Sequence, residues 1–143
     1  MKILQLFLLA TLLVGCVSSK QYSGEPIPLE KLSIIYTENI RIYDIDDKWL
    51  GFGMPTNEYH LKPGHHKIAI SYDGSYSFWR NKKYRGINKI IIGVNLEEGR
   101  QYRIAGFLRD RPGFLQYGKW DYKFIDKESG VSVGKALESK FNW

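Results

Sequence analysis

Cysteine is all but missing from this chain: its 143 residues hold one, Cys16. A lone thiol excludes an internal disulfide framework and any zinc site built on several thiolates. No apolar run reaches the roughly 20 residues that a membrane-spanning helix needs. There is no Gly-rich phosphate loop, no G-x-S-x-G elbow and no internal repeat, so the common signatures of nucleotide binding and of serine hydrolysis are lacking. Acidic residues are in the minority, 15 against 21 Lys and Arg, for a formal net charge of +6. Aromatics, by contrast, make up 15% of the chain, which excludes a disordered polymer. The length suits one domain.

Residues 1–15 place Lys2 ahead of an apolar run broken only by Gln5 and Thr11, which is the build of a secretory signal peptide. Leu13-Val14-Gly15-Cys16 follows. These residues resemble the lipobox of bacterial lipoproteins, in which a small residue precedes a lipidated cysteine. The resemblance implies diacylation of Cys16, cleavage after Gly15 and acylation of the new amino terminus. The alternative is an ordinary signal peptide or anchor in which Cys16 is incidental. Three acyl chains anchor a protein stably, where one alone binds marginally. Val17, not aspartate, follows the cysteine, which in enterobacterial lipoproteins implies sorting to the outer membrane. The expected location is therefore the bacterial envelope, lipid-anchored in the outer membrane and facing the periplasm. Export disfavours nucleic acid as a partner.

The organisation expected is a leader over 1–15, the lipidated cysteine with a flexible tether over 16–30, and a β-domain over 31–143. Residues 17–30 are rich in Ser, Gly and Pro without apolar period, so they read as an extended linker reaching a few tens of ångströms at about 3.3 Å per residue. From Leu32 the apolar period is two, the mark of half-buried strands. Residues 33–37 and 40–45 are such strands, with Asp46-Asp47-Lys48 turning into 49–52. Lys62-Pro63-Gly64 is a turn leading into a strand with His66, Ile68, Ile70 and Tyr72 on one face. Ile90, Ile92, Val94 and Leu96 alternate likewise, Glu97-Glu98-Gly99 turns, and Tyr102 and Ile104 point inward. Trp120, Tyr122 and Phe124 form a last alternating face, and 134–141 is the one stretch suited to a short C-terminal helix. Seven or eight short strands with regular turns predict an all-β fold, a single antiparallel β-sandwich.

Residues 40–72 resemble PEGA-type and related sandwich domains of envelope lipoproteins. The matching residues are Asp46, Asp47, Lys48, Gly51, Leu61, Pro63, Gly64, His66, Ile68 and Ile70. Leu96, Gly99, Tyr102 and Ile104 resemble a hairpin pattern of many such lipoproteins. Met54-Pro55-Thr56 stands where the family pattern has a Thr-Pro pair. These motifs specify turns, so the resemblance implies a fold and no active site.

Three histidines, His60, His65 and His66, lie close in sequence. Adjacent strand residues point to opposite faces, so His65 and His66 do not suit one metal ion; His66 is expected over the core edge and His65 in the turn. Asp44, Asp46 and Asp47 resemble part of a calcium loop but lack its Gly and closing Glu, and a solvated hairpin turn accounts for them. With no paired nucleophile and base in view, the chain reads as a non-enzyme, without metal or other cofactor.

Charge is uneven. Arg80, Lys82, Lys83, Arg85, Lys89, Arg100, Arg103, Arg109 and Arg111 are opposed between positions 80 and 111 only by Glu97, Glu98 and Asp110. Aromatics interleave them. The candidate patch is Trp79, Arg80, Lys82, Lys83, Tyr84, Arg85, Arg109, Arg111, Phe114 and Tyr117, carried by residues 76–86 and 109–118. Arginine and aromatics together are enriched at interface hot spots, whereas a solvated face of a basic protein has the same composition without a partner. The expected function is a non-catalytic structural or accessory subunit docking on another envelope protein. The alternative is a binding module for an anionic lipid or glycan, such as lipopolysaccharide or a phospholipid headgroup.

Overall fold

The computed structural model describes residues 19–51, 56–75, 83–85, 88–109 and 119–141. Within them, eleven strands follow one another with a single 3-10 turn at Leu29–Lys31. One sheet runs in the order β1 (Ser19–Lys20), β5 (Glu58–Leu61), β2 (Ser33–Glu38), β9 (Gln101–Leu108), β10 (Trp120–Asp126). The other runs β11 (Lys135–Phe141), β8 (Asn88–Leu96), β6 (Gly64–Ser75), β3 (Ile40–Ile45), β4 (Lys48–Trp49), with β7 (Lys83–Arg85) paired to β6. The all-β expectation and its two sheets are borne out. Eight of the strands have four or more residues; β1, β4 and β7 are shorter.

Alternation places the core where the sequence puts it. Ile35, Tyr102, Ile104 and Phe124 from the first sheet meet Ile68, Ile70, Ile92 and Val94 from the second in one buried cluster. Each such side chain contributes about 1.5–3 kcal/mol when withdrawn from water. Tyr102 and Phe124 pack edge to face, with ring centroids 6.1 Å apart.

Two expectations are corrected. Pairing is mixed, not purely antiparallel: β2 runs parallel to β9, and β1 parallel to β5. Hairpin turns fix direction only between consecutive strands, and these partners are not consecutive. Second, residues 135–141 form strand β11, with a bulge between Ala136 and Glu138, rather than a helix. A seven-residue helix is marginal in water, whereas β8 offers a row of unpaired backbone groups that β11 completes. Within the stretch expected as a tether, Ser19 and Lys20 pair with β5 and Gln21 N–H donates to His60 O at 3.0 Å, while Ile27 N–H donates to the Tyr22 hydroxyl at 3.2 Å and Lys20 Nζ to Gly24 O at 3.0 Å inside the segment itself.

The pairings define two ends. At one, here the turn end, the chain reverses tightly at 46–47, 62–63, 97–100 and 127–130. Asp46 and Asp47 both take left-handed φ, 54° and 61°, the backbone of a two-residue hairpin turn that Asp tolerates. Gly99 has φ 70°, and a Cβ there would come within 2.9 Å of the Glu30 carbonyl oxygen. At the other, the loop end, the longer connections leave the sheets.

Candidate binding surface

The described roots of the two segments that carry the candidate patch, Ser75 with Lys83 and Arg109 with Lys119, lie at this loop end. Residues 76–82 depart from Ser75 and return at Lys83, which is paired with it. Residues 110–118 depart after Arg109 and return at Lys119, whose carbonyl accepts the Arg109 N–H at 2.8 Å. Tyr72, near the end of β6, and Trp120, opening β10, join these two roots across the sheets with ring centroids 6.3 Å apart. Gly106 makes the approach possible: a Cβ there would lie 2.9 Å from Asn39 O and 3.0 Å from the Tyr72 ring. Asp73 N–H donates to Asn39 O at 2.9 Å, and Thr37 N–H to Asn57 O at 3.0 Å, so the β2–β3 connection and the start of β5 share this end.

Of the sequence-derived site residues, Cys16, Trp79, Arg80, Lys82, Arg111, Phe114 and Tyr117 lie outside the described residues. Lys83, Tyr84 and Arg85 form β7. Arg109 is exposed and ion-paired with Asp121, its Nε 3.1 Å from the carboxylate. That bond holds the Asp121 carboxyl below the usual carboxylate range, against the opposing effect of burial.

Tertiary structure redistributes the charge counted along the sequence. Arg103 pairs with Glu38, and Arg100 with Glu128 and Glu97. Three of the nine bases thus meet carboxylates, and the partners of Arg103 and Arg109, Glu38 and Asp121, lie outside the 80–111 window. Lys89 Nζ lies 4.5 Å and the Arg41 guanidinium 5.5 Å from the centroid of the Tyr43 ring on the second sheet. Cation–π contacts of this kind are worth about 0.5–1 kcal/mol when exposed. Residues 76–86 hold four bases and no acid, and Arg85 lies directly across from Asp73 in the β6–β7 register.

One of the aromatics interleaved with the bases, outside the ten patch residues, also reaches the surface. Phe107 is 47% exposed on the outer face of β9, two positions before Arg109. Strand alternation does signal its outward direction, since Tyr102, Ile104 and Gly106 take the buried positions.

The histidine and aspartate clusters serve the turn end. His66 Nδ1 is 2.7 Å from Asp46 Oδ2, and its Nε2 is 2.7 Å from Lys62 O. Both partners are acceptors, so the ring bridges the Asp46 turn and the Lys62 turn. Asp46 also accepts Lys67 N–H at 2.9 Å. His60 is buried against Glu58 at 2.6 Å, and His65 is exposed. No three His, Cys, Asp or Glu side chains converge among the described residues. A shallow cleft of about 340 Å³ is lined by Gly99, Gln101, Lys127 and Glu128 at the turn end, and there Glu128 is engaged by Arg100, and Lys127 Nζ by Gln101 at 3.2 Å. Comparison with protein-family models, with curated proteins and with solved structures found no match to this chain.

Proposed function

We propose that this chain is a non-catalytic lipoprotein of the bacterial envelope, held on the outer membrane by an acylated Cys16 and facing the periplasm. Its two sheets close on one another as a β-sandwich. It acts as an accessory subunit that docks on an anionic envelope partner through residues 76–86 and 109–118.

The convergence of the roots of these two segments carries the reading. They are separated by two strands and a turn, yet their roots meet at the Tyr72–Trp120 contact, so one partner can engage both. The partner is an acidic envelope protein or an anionic lipid or glycan, and the exposed Phe107 beside Arg109 adds an apolar contact suited to either.

Photoreactive residues at Trp79 and Phe114 in intact envelopes test it. A discrete adduct, protein or lipid, from either position is expected, and no adduct at both would refute docking through these segments. Binding to an anionic lipid or glycan weakens steeply with salt; a packed protein interface with aromatic anchors does not. Separately, Cys16→Ser is expected to abolish fatty-acid labelling and leave unprocessed precursor. Labelling that persists in the variant would overturn the lipidation reading.

A further inference from the structure

We propose that the outer face of the second sheet carries an oxyanion site, built by Arg41 and Lys89 around the Tyr43 ring, that takes a phosphate group. The site uses neither of the loop segments above and does not depend on lipidation.

Strand register places the site. Arg41 on β3 pairs with Ser71 on β6. Ile70 pairs with Ile90, so the next step sets Ser71 level with Lys89 on β8. Lys140 on β11 is in turn registered opposite Lys89. One row across four strands thus reads Arg41, Ser71, Lys89, Lys140. Alternation turns it away from the core, since Ile42 and Ile70 belong to the buried cluster and Ile90 packs against it. Ser71, Ala69 and Ile91 are only 2%, 7% and 9% exposed, yet they lie outside that cluster. They form a closed floor beneath the side chains of the outer face.

Two cations converge over this floor on one ring, with Lys89 Nζ 4.5 Å and the Arg41 guanidinium 5.5 Å from the Tyr43 centroid. Arg100, Arg103 and Arg109 each meet a carboxylate. Among the described residues, Arg41 and Lys89 meet none. The acids nearest in register are Asp44 and Glu138, which flank the adjacent row through Ala69 and Ile91, and Asp73, opposite Arg85. Like charges set across neighbouring strands repel, and an anion seated among them reverses the sign through charge-assisted hydrogen bonds. β3 and β8 stand two strand spacings apart, about 10 Å, a gap that two long side chains and one tetrahedral anion close together. A carboxylate is satisfied by the arginine fork alone, whereas a phosphate offers oxygens to the fork and to the lysine at once. The apolar floor strengthens the attraction, because little water lies beneath the charges.

The test titrates inorganic phosphate into the full chain in neutral detergent, at constant ionic strength with chloride as reference, and follows backbone amide shifts. Shifts centred on residues 41–43, 71 and 89 that saturate at millimolar phosphate are expected. Arg41→Gln and Lys89→Gln, with folding checked by denaturant, are each expected to weaken binding by about tenfold, and Arg100→Gln to leave it unchanged. Shifts spread over all the bases, no saturation in that range, or equal losses in the three variants would reveal an adventitious ion only and overturn the site. Should either glutamine variant fail to fold, Arg41→Lys decides: it keeps the charge but loses the fork, so a several-fold loss is expected and an unchanged affinity overturns the assignment. Because phosphate also heads phospholipids, vesicles form the second arm. A preference for phosphatidylglycerol over phosphatidylcholine vesicles that disappears in Arg41→Gln and Lys89→Gln identifies a lipid headgroup as the source. A preference that survives in both, while phosphate binding is lost, identifies a soluble phosphate ester.

Discussion

The two ends of this molecule use their polar side chains in opposite ways. At the turn end they are spent on the protein's own backbone: Asp46 on Lys67 N–H, His66 on Lys62 O, the Ser33 hydroxyl on Glu97 O, the Tyr102 hydroxyl on Glu97 N–H, and Asp126 on the Glu128 and Ser129 N–H groups. At the loop end the sheets are joined by aromatic packing of Tyr72 on Trp120, and the segment that follows Ser75 in sequence, 76–86, carries four bases and no acid. A closed hydrogen-bond set rigidifies and leaves little to offer a partner, whereas a run of bases attracts an anionic one.

The strongest way to break the comparison is at the aromatic junction. Trp120→Ala removes the side chain that links the two loop roots and is expected to cost about 3–5 kcal/mol of stability, read by denaturant unfolding. A loss below about 1 kcal/mol would mean that the roots are held by something else.

Lys82→Ala with Lys83→Ala comes next. Each base near an anionic surface contributes about 1 kcal/mol, so vesicle affinity is expected to fall by about 2 kcal/mol while stability stays within about 0.5 kcal/mol. Lys62→Ala with Lys127→Ala, at the turn end, is the control and is expected to leave affinity unchanged. Equal losses from both pairs would erase the distinction between the ends.

His66→Ala tests the turn end from the other side. It leaves the Asp46 carboxylate and Lys62 O without their bridge, at an expected cost of about 1–2 kcal/mol in stability and no change in vesicle affinity. An affinity change there would connect the ends.

Acid titration sharpens the picture further. Hydrogen bonds from Ser129 and Glu128 N–H hold the Asp126 carboxyl below its usual range. Its folded pKa thus lies under its unfolded value of about 3.9, so the stabilisation is full above that value and is lost as pH falls through the depressed one. Asp126→Asn is therefore expected to be less stable than the parent at neutral pH and to converge on it in acid; parallel stability curves would contradict the assignment.

The smallest effect concerns Thr37, whose buried Oγ1 has no partner among the described residues. Thr37→Val removes that hydroxyl at constant shape and is expected to be neutral or slightly stabilising. A clear loss on unfolding would mean that the hydroxyl is paired.

Much of this was legible beforehand. The buried faces of β6, β8, β9 and β10 follow from alternation, and the reversals at 46–47, 62–63 and 97–99 follow from Asp, Pro and Gly, because both signals are local. β5 passed unread because four residues, Glu-Tyr-His-Leu, carry too little pattern beside polar neighbours. β11 was misread because Lys, Ala, Leu and Glu favour helix, and only the open edge of β8 overrides that preference. The charge surplus between 80 and 111 was countable in the sequence, but Glu38 and Asp121, which meet Arg103 and Arg109, lie outside that window.

Residues alone determined that this chain is a two-sheet β protein, where its hairpins turn and which side chains fill its core, since these depend on neighbours within a few positions. Tertiary structure decided that β1 runs parallel to β5, that the roots at Ser75–Lys83 and Arg109–Lys119 share one end, and that Arg103 and Arg109 meet Glu38 and Asp121. Each of these depends on pairing between residues tens of positions apart, where strand direction is set by the edge and the core that the rest of the chain has already built.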